Sequence, residues 1–475
     1  MIEVGRNSII VRNIKEDSHE YKKALYDFSL YDNVLHKYTF SAFSRNNDDL
    51  YFPASMTLEK IQTVFPKEEV SVSFSTTAKS KFMSYNMIHN PKNELQEEAI
   101  KFLLKMRKDP SIHQRFLSLE TGSGKTYVSI NCISKLKKKA LIIVDTIDLA
   151  EQWKREFLNH TDLLERDIVI LSGQESIDQQ YQCQTGKVYI AIHRTLGNML
   201  NNDINSINSL MNKLGIGVRV FDESHVNFGN ICKINSFSNV EYTIYLTATP
   251  SRTNFMDNSL YAKVFSAIPY FNGKNIENEK YHTVVLCTMD THPGIDDKIY
   301  VKTKYGFSQS RWAEYVSEKA YDTLLESISN IFKKFSLVER ETKTAIMLPT
   351  IKLIDKVKKD LQILYPNLDI GVFTGAVPKK KREEQLDKKV FLTDEKIFGK
   401  GADVKDLEVL INYVPIGNVI NTEQIIGRLR NRENYSSILV DVTDIGFDPC
   451  IKQSKIRKRY YKKKAKKIVE FKERK

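Results

Sequence analysis

Cysteine is scarce in this 475-residue chain. Cys132, Cys183, Cys232, Cys287 and Cys450 lie far apart and form no CxxC pair. That argues against a zinc site or a disulfide framework and fits a reducing cytoplasm. Long apolar runs are missing too. None approaches the roughly 20 residues that a membrane helix needs. The opening MIEVGRNSII lacks the charged and apolar regions of a signal peptide. With 41% hydrophobic and 28% charged residues, a soluble chain of two to four domains with sizeable cores is expected. No short repeat and no nuclease motif is visible.

Acidic residues are sparse at one end. Net charge is +13, and Cys450 to Lys475 holds 13 Lys/Arg against two Glu. Such a block suggests a polyanionic partner. Ile456, Tyr460 and Ile468 fall on four-residue steps interrupted by Lys464, with Ala465 and Val469 beside them. This predicts a basic C-terminal helix over residues 450–475 with one thin apolar stripe. A solvated, frayed tail or a membrane-surface helix are the alternatives.

Residues 1–85 read as a small α+β domain, with strands in Ile2 to Ile14, a helix at His19 to Phe28 and a further helix at Leu58 to Phe65 capped by Thr57. Ser71 to Asn90 reads as a linker. Residues 86–255 alternate strands and helices, which predicts a parallel sheet with right-handed crossovers. Residues 256–340 read as a connecting segment with a long helix near Arg311 to Phe335. A second alternation fills residues 341–449. The fold class is therefore α/β, two lobes in tandem.

Two motifs carry the chemistry. Leu119 to Thr126 reads LETGSGKT, and Val218 to His225 reads VRVFDESH. Thr121, Gly122, Ser123 and Gly124 form a turn before a helix starting near Lys125. Such a turn lets backbone N–H groups converge on phosphates at a helix N-terminus. Lys125 is expected at the β and γ phosphates, and Thr126 on Mg²⁺. A Gly or Ala usually stands where this chain has Leu119. Val218, Val220 and Phe221 form a buried strand with Asp222 at its carboxyl end, placed for Mg²⁺. Glu223 is placed to orient and deprotonate water. His225 either couples this site to its neighbours or only packs. ATP and Mg²⁺ are the expected ligands.

These motifs, in this order, resemble superfamily 2 helicases and translocases over about residues 91–445. The resemblance implies two RecA-like lobes that close on one ATP, and an enzyme that is a nucleic-acid-dependent ATPase. It implies Gln96 at the adenine edge, and a nucleic-acid contact at Asp145 to Trp153 through Thr146. A Pro is common in the family at Asp145, and Trp153 is expected in the core. Ile192 to Thr195 resembles the next strand contact, and Thr247 to Pro250 the coupling motif. In the second lobe Thr374, Gly375, Lys380 and Arg382 resemble a backbone contact. Thr393 and Phe398 to Asp403, with Gly401 and Asp403 near ATP and Lys400 near a phosphate, resemble the motif touching strand and nucleotide. Gln424, Gly427 and Arg428 match the last motif, with Arg428 as the γ-phosphate arginine. Asn431 stands where a second arginine is usual, so Arg430 or Arg432 would serve, or Arg428 acts alone.

The nearest likeness within the superfamily is to phage DNA helicases of the UvsW type. It implies remodelling of branched DNA in phage or viral replication, recombination and repair, within the host cytoplasm. Single-stranded and branched duplex DNA are the implied partners, with the small N-terminal domain and basic tail on duplex arms. No membrane is implied. RNA is the alternative track, in an RNA helicase or transcript-release factor. A binding scaffold with an inactive nucleotide site is the non-enzymatic alternative.

Overall fold

The computed structural model describes residues 1–32, 36–72, 80–107, 113–119, 122–248, 255–273, 282–304, 306–335, 342–401, 404, 406–429 and 437–471, without the side chains of 255–257, 379, 380, 383, 400, 401 and 420. The chain forms two compact units, Met1–Ile276 and Glu277–Lys475.

The first unit opens with β1 (Ile2–Val4), β2 (Ser8–Val11), α1 (His19–Phe28), β3 (Ser29–Asp32), β4 (Lys37–Ser41), β5 (Ser44–Asn46), β6 (Asp49–Pro53), α2 (Leu58–Gln62) and β7 (Val70–Val72). Five of these strands make one sheet in the order β5-β6-β2-β1-β7. The expected linker thus begins with a strand, because β7 pairs in parallel with β1. Ser18 caps α1 by accepting from the Tyr21 N–H, whereas Thr57 makes no side-chain cap on α2. The short α2 ends at Gln62 rather than Phe65.

The lobe that follows contains α3 (Glu94–Leu104), β8 (Gln114–Ser118), α4 (Lys125–Leu136), β9 (Lys139–Val144), α5 (Ile147–His160), β10 (Ile168–Leu171), α6 (Gln174–Cys183), β11 (Val188–Ile192), α7 (His193–Asn202), α8 (Ser206–Leu214), β12 (Ile216–Phe221), α9 (Phe228–Ser236), β13 (Tyr242–Thr247), α10 (Phe255–Val264) and β14 (Tyr270–Asn272). Its seven strands are all parallel, in the order β10-β11-β9-β12-β13-β8-β14. Both faces are buried, so the strands read as near-continuous apolar runs. Leu141, Phe221 and Tyr245 face the cluster shared with Ile2, Ile9 and Phe52 of the N-terminal sheet. Val218, Val220 and Leu246 face α3 to α5. The N-terminal sheet is therefore fused to one face of the lobe. Asn7 donates to Asn239 and to the Val240 carbonyl, and Phe40 packs on Phe228.

The second unit contains β15 (His282–Met289), α11 (Ile295–Tyr300), a small hairpin of β16 (Lys302–Thr303) and β17 (Gly306–Phe307), α12 (Gln309–Lys319), α13 (Tyr321–Phe335), β18 (Lys343–Met347), α14 (Ile351–Leu364), β19 (Ile370–Phe373), α15 (Lys379–Leu386), β20 (Val390–Thr393), α16 (Glu395–Gly401), β21 (Leu407–Asn412), α17 (Val419–Ile426), β22 (Ile438–Asp444), α18 (Asp448–Lys464) and β23 (Ala465–Phe471). Its parallel sheet runs β19-β20-β18-β21-β22-β15-β23. Counting the strands of each large sheet by sequence, both follow the order 3-4-2-5-6-1-7.

Three expectations change. The stretch read as connecting material contains β14, the last strand of the first sheet, and β15, the first of the second. The long helix near Arg311 to Phe335 is two helices, separated at Ala320, whose φ of −134° leaves the helical region. The basic C-terminal helix ends at Lys464, and Ala465 to Phe471 form β23 beside β15. Pairing with β15 satisfies backbone groups that a longer exposed helix end would leave to water.

Candidate functional site

In a parallel sheet every strand ends on the same edge, so the segments after β8, β9, β11, β12 and β13 gather there. Gly122 and Gly124 take φ of 85° and 91°, left-handed values that a side chain would strain. A Cβ on Gly124 would also lie 2.4 Å from Gln96 Nε2. Gln96 is buried, and its amide donates to the Ser123 carbonyl at 3.1 Å and accepts from the Lys92 N–H at 2.9 Å. The glutamine therefore braces the turn. Lys125 begins α4, and its Nζ donates to the Leu119 carbonyl at 3.2 Å. Thr126 follows it in the first turn of α4. Thr121 lies outside the described residues.

Leu119, the residue that departs from the usual pattern, is fully buried. Its space exists because position 273 is glycine: a Cβ there would come within 2.4 Å of Leu119 Cδ2 and 3.1 Å of Leu95 Cδ1. The extra bulk at one position is matched by an absence at another, just after β8's neighbour β14.

Asp222 follows β12. Burial first, and then Glu223, push its carboxyl up to about 6, while the Trp153 N–H and Lys125 pull it down. The Trp153 contact is specific: the indole Nε1 donates to Asp222 Oδ2 at 2.8 Å, and the Glu223 N–H donates to Oδ1 at 2.9 Å. Trp153 is core, 2% exposed, as the sequence implied, yet it also orients the acid. Sequence reading missed this role, because nothing in the chain's order links positions 69 residues apart. Glu223 sits at φ 45°, a left-handed conformation that costs a non-glycine residue about 1–2 kcal/mol. Its Oε2 is buried and accepts no hydrogen bond among the described residues. His225 Nδ1 lies 2.9 Å from Thr247 Oγ1 and 3.3 Å from Glu223 Oε2. The shorter contact is the hydrogen bond, and the ring thus bridges the acids to the end of β13. The position therefore makes polar contacts to both neighbours besides its packing. Thr249 and Pro250 lie outside the described residues.

The expected strand contacts share that edge. Thr146 caps α5 by accepting from the Leu149 N–H, and the same helix carries Trp153 two turns on. Asp145 accepts from Asn227 Nδ2 at 2.5 Å, so its carboxylate faces the start of α9. His193 stacks on Phe221 with ring centroids 6.1 Å apart, and burial lowers its pKa to about 4. One further residue escaped the sequence reading. Arg219 is fully buried, and donates to Asn235 Oδ1 at 2.6 Å, Ser238 Oγ at 2.5 Å and Thr243 Oγ1 at 3.2 Å. It ties α9, the helix after the acids, to β12 and β13.

The remaining candidates belong to the second unit. Arg428 Nη2 donates to the Gly399 carbonyl at 3.0 Å, joining the end of α17 to α16. Gln424 lies on α17 and Gly401 ends α16. Arg382, on α15, donates to the Val377 and Gly375 carbonyls of the preceding turn, which makes it a brace for that turn. Thr374 is buried, and Thr393 Oγ1 donates to the Phe373 carbonyl at 2.8 Å. Asp403, Arg430, Asn431 and Arg432 lie outside the described residues, as do the side chains of Lys380 and Lys400.

The residues fit a nucleoside triphosphate with Mg²⁺. The turn is held open by glycines, a lysine and a hydroxyl stand at a helix N-terminus, and an oriented carboxylate and an unsatisfied one sit beside them.

Comparison with known proteins agrees. Residues 90–252 match the family described as "Type III restriction enzyme, res subunit", and residues 323–432 match "Helicase conserved C-terminal domain". Transcript termination protein A18 of Yaba-like disease virus is 25% identical over 340 residues, 66% of this chain and 64% of its own length. The protein of that name from Yaba monkey tumor virus is 25% identical over 342 residues, 66% of this chain and again 64% of its length. The chain thus spans just under two thirds of these poxvirus relatives. The DNA 3'-5' translocase XPB2 of Sulfurisphaera tokodaii is 23% identical over 396 residues, covering 74% of this chain and 81% of that one. In three dimensions the chain resembles Dbp5 of S. cerevisiae, solved bound to RNA and ADP BeF3, with a TM-score of 0.54 at 12% identity over 80% of this chain and 89% of that one. The fold is therefore two RecA-like lobes in tandem.

Proposed function

Starting from a chain that belongs to the superfamily 2 helicases, we propose that it is an ATP-driven DNA translocase. The observation that carries this reading is the joined set on one sheet edge: the glycine turn with Lys125, the acids Asp222 and Glu223, and the His225–Thr247 bridge. Lys125, Thr126 and the backbone of Gly122 to Gly124 hold the phosphates. Gln96 reads the adenine edge with the amide N–H not given to Ser123. Thr126 and Asp222 would hold Mg²⁺, which would supply neutralisation of the phosphate charge. Trp153 and the Glu223 N–H fix the Asp222 carboxylate. Glu223 orients the attacking water and accepts its proton. Arg428 is the proposed phosphate cation of the second unit, with Gly401, Asp403 and Gln424 on the nucleotide. Thr146 and the start of α5 contact the strand's phosphates, so movement is largely independent of sequence.

Branched DNA is the proposed substrate, on the likeness to UvsW-type helicases. A second reading, transcript release, is favoured by the names of the poxvirus relatives. ATP turnover measured in parallel with single-stranded DNA, duplex, a four-way junction and RNA separates them. Strongest stimulation by the junction supports remodelling, and stimulation by RNA alone supports the second reading. No stimulation by any of them leaves only a binding scaffold.

A further inference from the structure

The residues read from sequence as a loose basic tail form a fixed face. Along α18 the buried positions are Cys450, Arg457 and Tyr461. At 100° per residue Lys452, Lys455, Arg459, Lys462 and Lys463 fall within an arc of about 100° on the opposite side. All five are exposed. Among the described residues none of them is in an ion pair. The one acid on the same stripe is Asp448, in the first turn, and Lys458, off the stripe, is engaged by Glu470 at 2.6 Å. Five cations therefore line about 16 Å of helix. Their mutual repulsion makes the face costly unless something anionic meets it.

The helix is anchored from beneath. Arg457 is 1% exposed and Asp441 0%, and the guanidinium Nε donates to both Asp441 oxygens, at 3.0 and 3.2 Å. Arg457 Nη1 donates to the Ile416 carbonyl at 2.9 Å, in the segment entering α17. Asn412 Nδ2 also donates to Asp441 at 2.8 Å. The charged face is thus rigidly joined to β22 and to the approach to the helix that carries Gln424.

We propose that the outer face of α18 docks the phosphate backbone of a nucleic-acid duplex. Surfaces for single strands interleave aromatics with cations, so that bases stack. This stripe has no aromatic residue: Tyr461 is buried on the opposite side and Tyr460 is half-buried. A row of cations on a straight rod suits a regular phosphate backbone. The assignment rests on the translocase reading for its ligand class. It sharpens the expectation of a basic tail on duplex arms into one anchored helix face, with Lys452, Lys455, Arg459, Lys462 and Lys463 as the contacts.

The test is binding of the full chain to a labelled blunt duplex across a salt series, with the triple variant Lys455→Gln, Arg459→Gln, Lys462→Gln. Each phosphate contact contributes about 0.9 to the slope of log K against log salt. The triple variant is expected to lower that slope by about 2–3 and to weaken binding at least tenfold at moderate salt. Lys458→Gln should leave the slope unchanged, and ATP turnover stimulated by a short single strand should stay at the wild-type level. An unchanged slope in the triple variant overturns the proposal. So does loss of binding to polyglutamate or to anionic vesicles while duplex binding is kept, since the face then serves an acidic protein or a membrane. If wild-type turnover responds to no nucleic acid while the duplex still binds through these residues, the translocase reading fails and the docking face stands.

Discussion

Replacing Trp153 with phenylalanine isolates a single hydrogen bond. The indole donates to Asp222 Oδ2 at 2.8 Å, while its ring packs in the core against Phe157. Phenylalanine keeps much of that packing and removes the N–H. A hydrogen bond to a charged group contributes about 1.5–3 kcal/mol. At about 1.36 kcal/mol per tenfold in rate, kcat should fall about 10- to 150-fold if the bond holds through the reaction. The carboxyl of Asp222, already raised to about 6, also loses a group that pulls it down. Its pKa therefore rises further. The ionised form exists above the folded pKa, so the defect should deepen as pH falls from about 8 towards about 6. The assay is steady-state ATP turnover at saturating nucleic acid, titrated with Mg²⁺. Half-saturation by Mg²⁺ should rise, KM for ATP should change little, and a thermal melt reports on the packing. A W153F protein with wild-type kcat and wild-type magnesium dependence would refute the idea that Trp153 positions the acid.

Other outcomes follow from the same geometry. Lys125→Ala and Glu223→Gln should each cut stimulated ATP turnover by about 100-fold or more, with Glu223→Gln still binding nucleotide by equilibrium fluorescence. Wild-type turnover in Glu223→Gln would remove that residue from the water-activating role. Gly273→Ala should overpack Leu119 and lower stability by about 1–3 kcal/mol in urea unfolding, and Leu119→Ala in the same chain should recover part of the loss. Additive losses in the double variant would deny the pairing. Burial holds the folded pKa of His113 at about 3 and of His193 at about 4, below the ordinary value of 6.5. Below pH 6.5 the unfolded chain takes up protons that the fold excludes. Stability is therefore full above 6.5, and falls by about 1.4 kcal/mol per pH unit for each histidine as pH drops towards those folded values. His113→Gln should flatten the pH dependence of the urea midpoint by about one proton's worth, and an unchanged slope would show that this ring is protonated in the fold.

Much of the first site was legible because its signals are local. A glycine turn before Lys125 and an apolar strand before Asp222 are each set by a few consecutive residues. What the sequence hid was long-range. Leu119 departs from the usual Gly or Ala, and the residue that gives it room, Gly273, is far away in sequence. Trp153 reads as core because its partner, Asp222, follows a strand distant in sequence from α5. The partner of the His225 ring nitrogen, Thr247, lies at the end of another strand, where local sequence does not point. The strands β14, β15 and β23 were hidden differently. β15 is an apolar run, but more than fifty residues of helix and hairpin separate it from β18, and local pattern cannot say which sheet a strand joins. In β23 the lysines mask the alternation, and only its pairing with β15 decides strand over helix. No proline or glycine marks the break at Ala320, and the sequence around it gives no local reason for it.

The placement of β15 between β22 and β23 bears on how the second lobe is made. Both neighbours of this strand come from the last forty residues or so of the chain. A ribosome must therefore synthesise about 150 residues after β15 before it has any partner, a large loop closure that slows folding. Until then its backbone is an open template for other chains. Truncation before Ala465 would recreate that hazard permanently, turning an interior strand into an edge and favouring aggregation over a merely weakened enzyme.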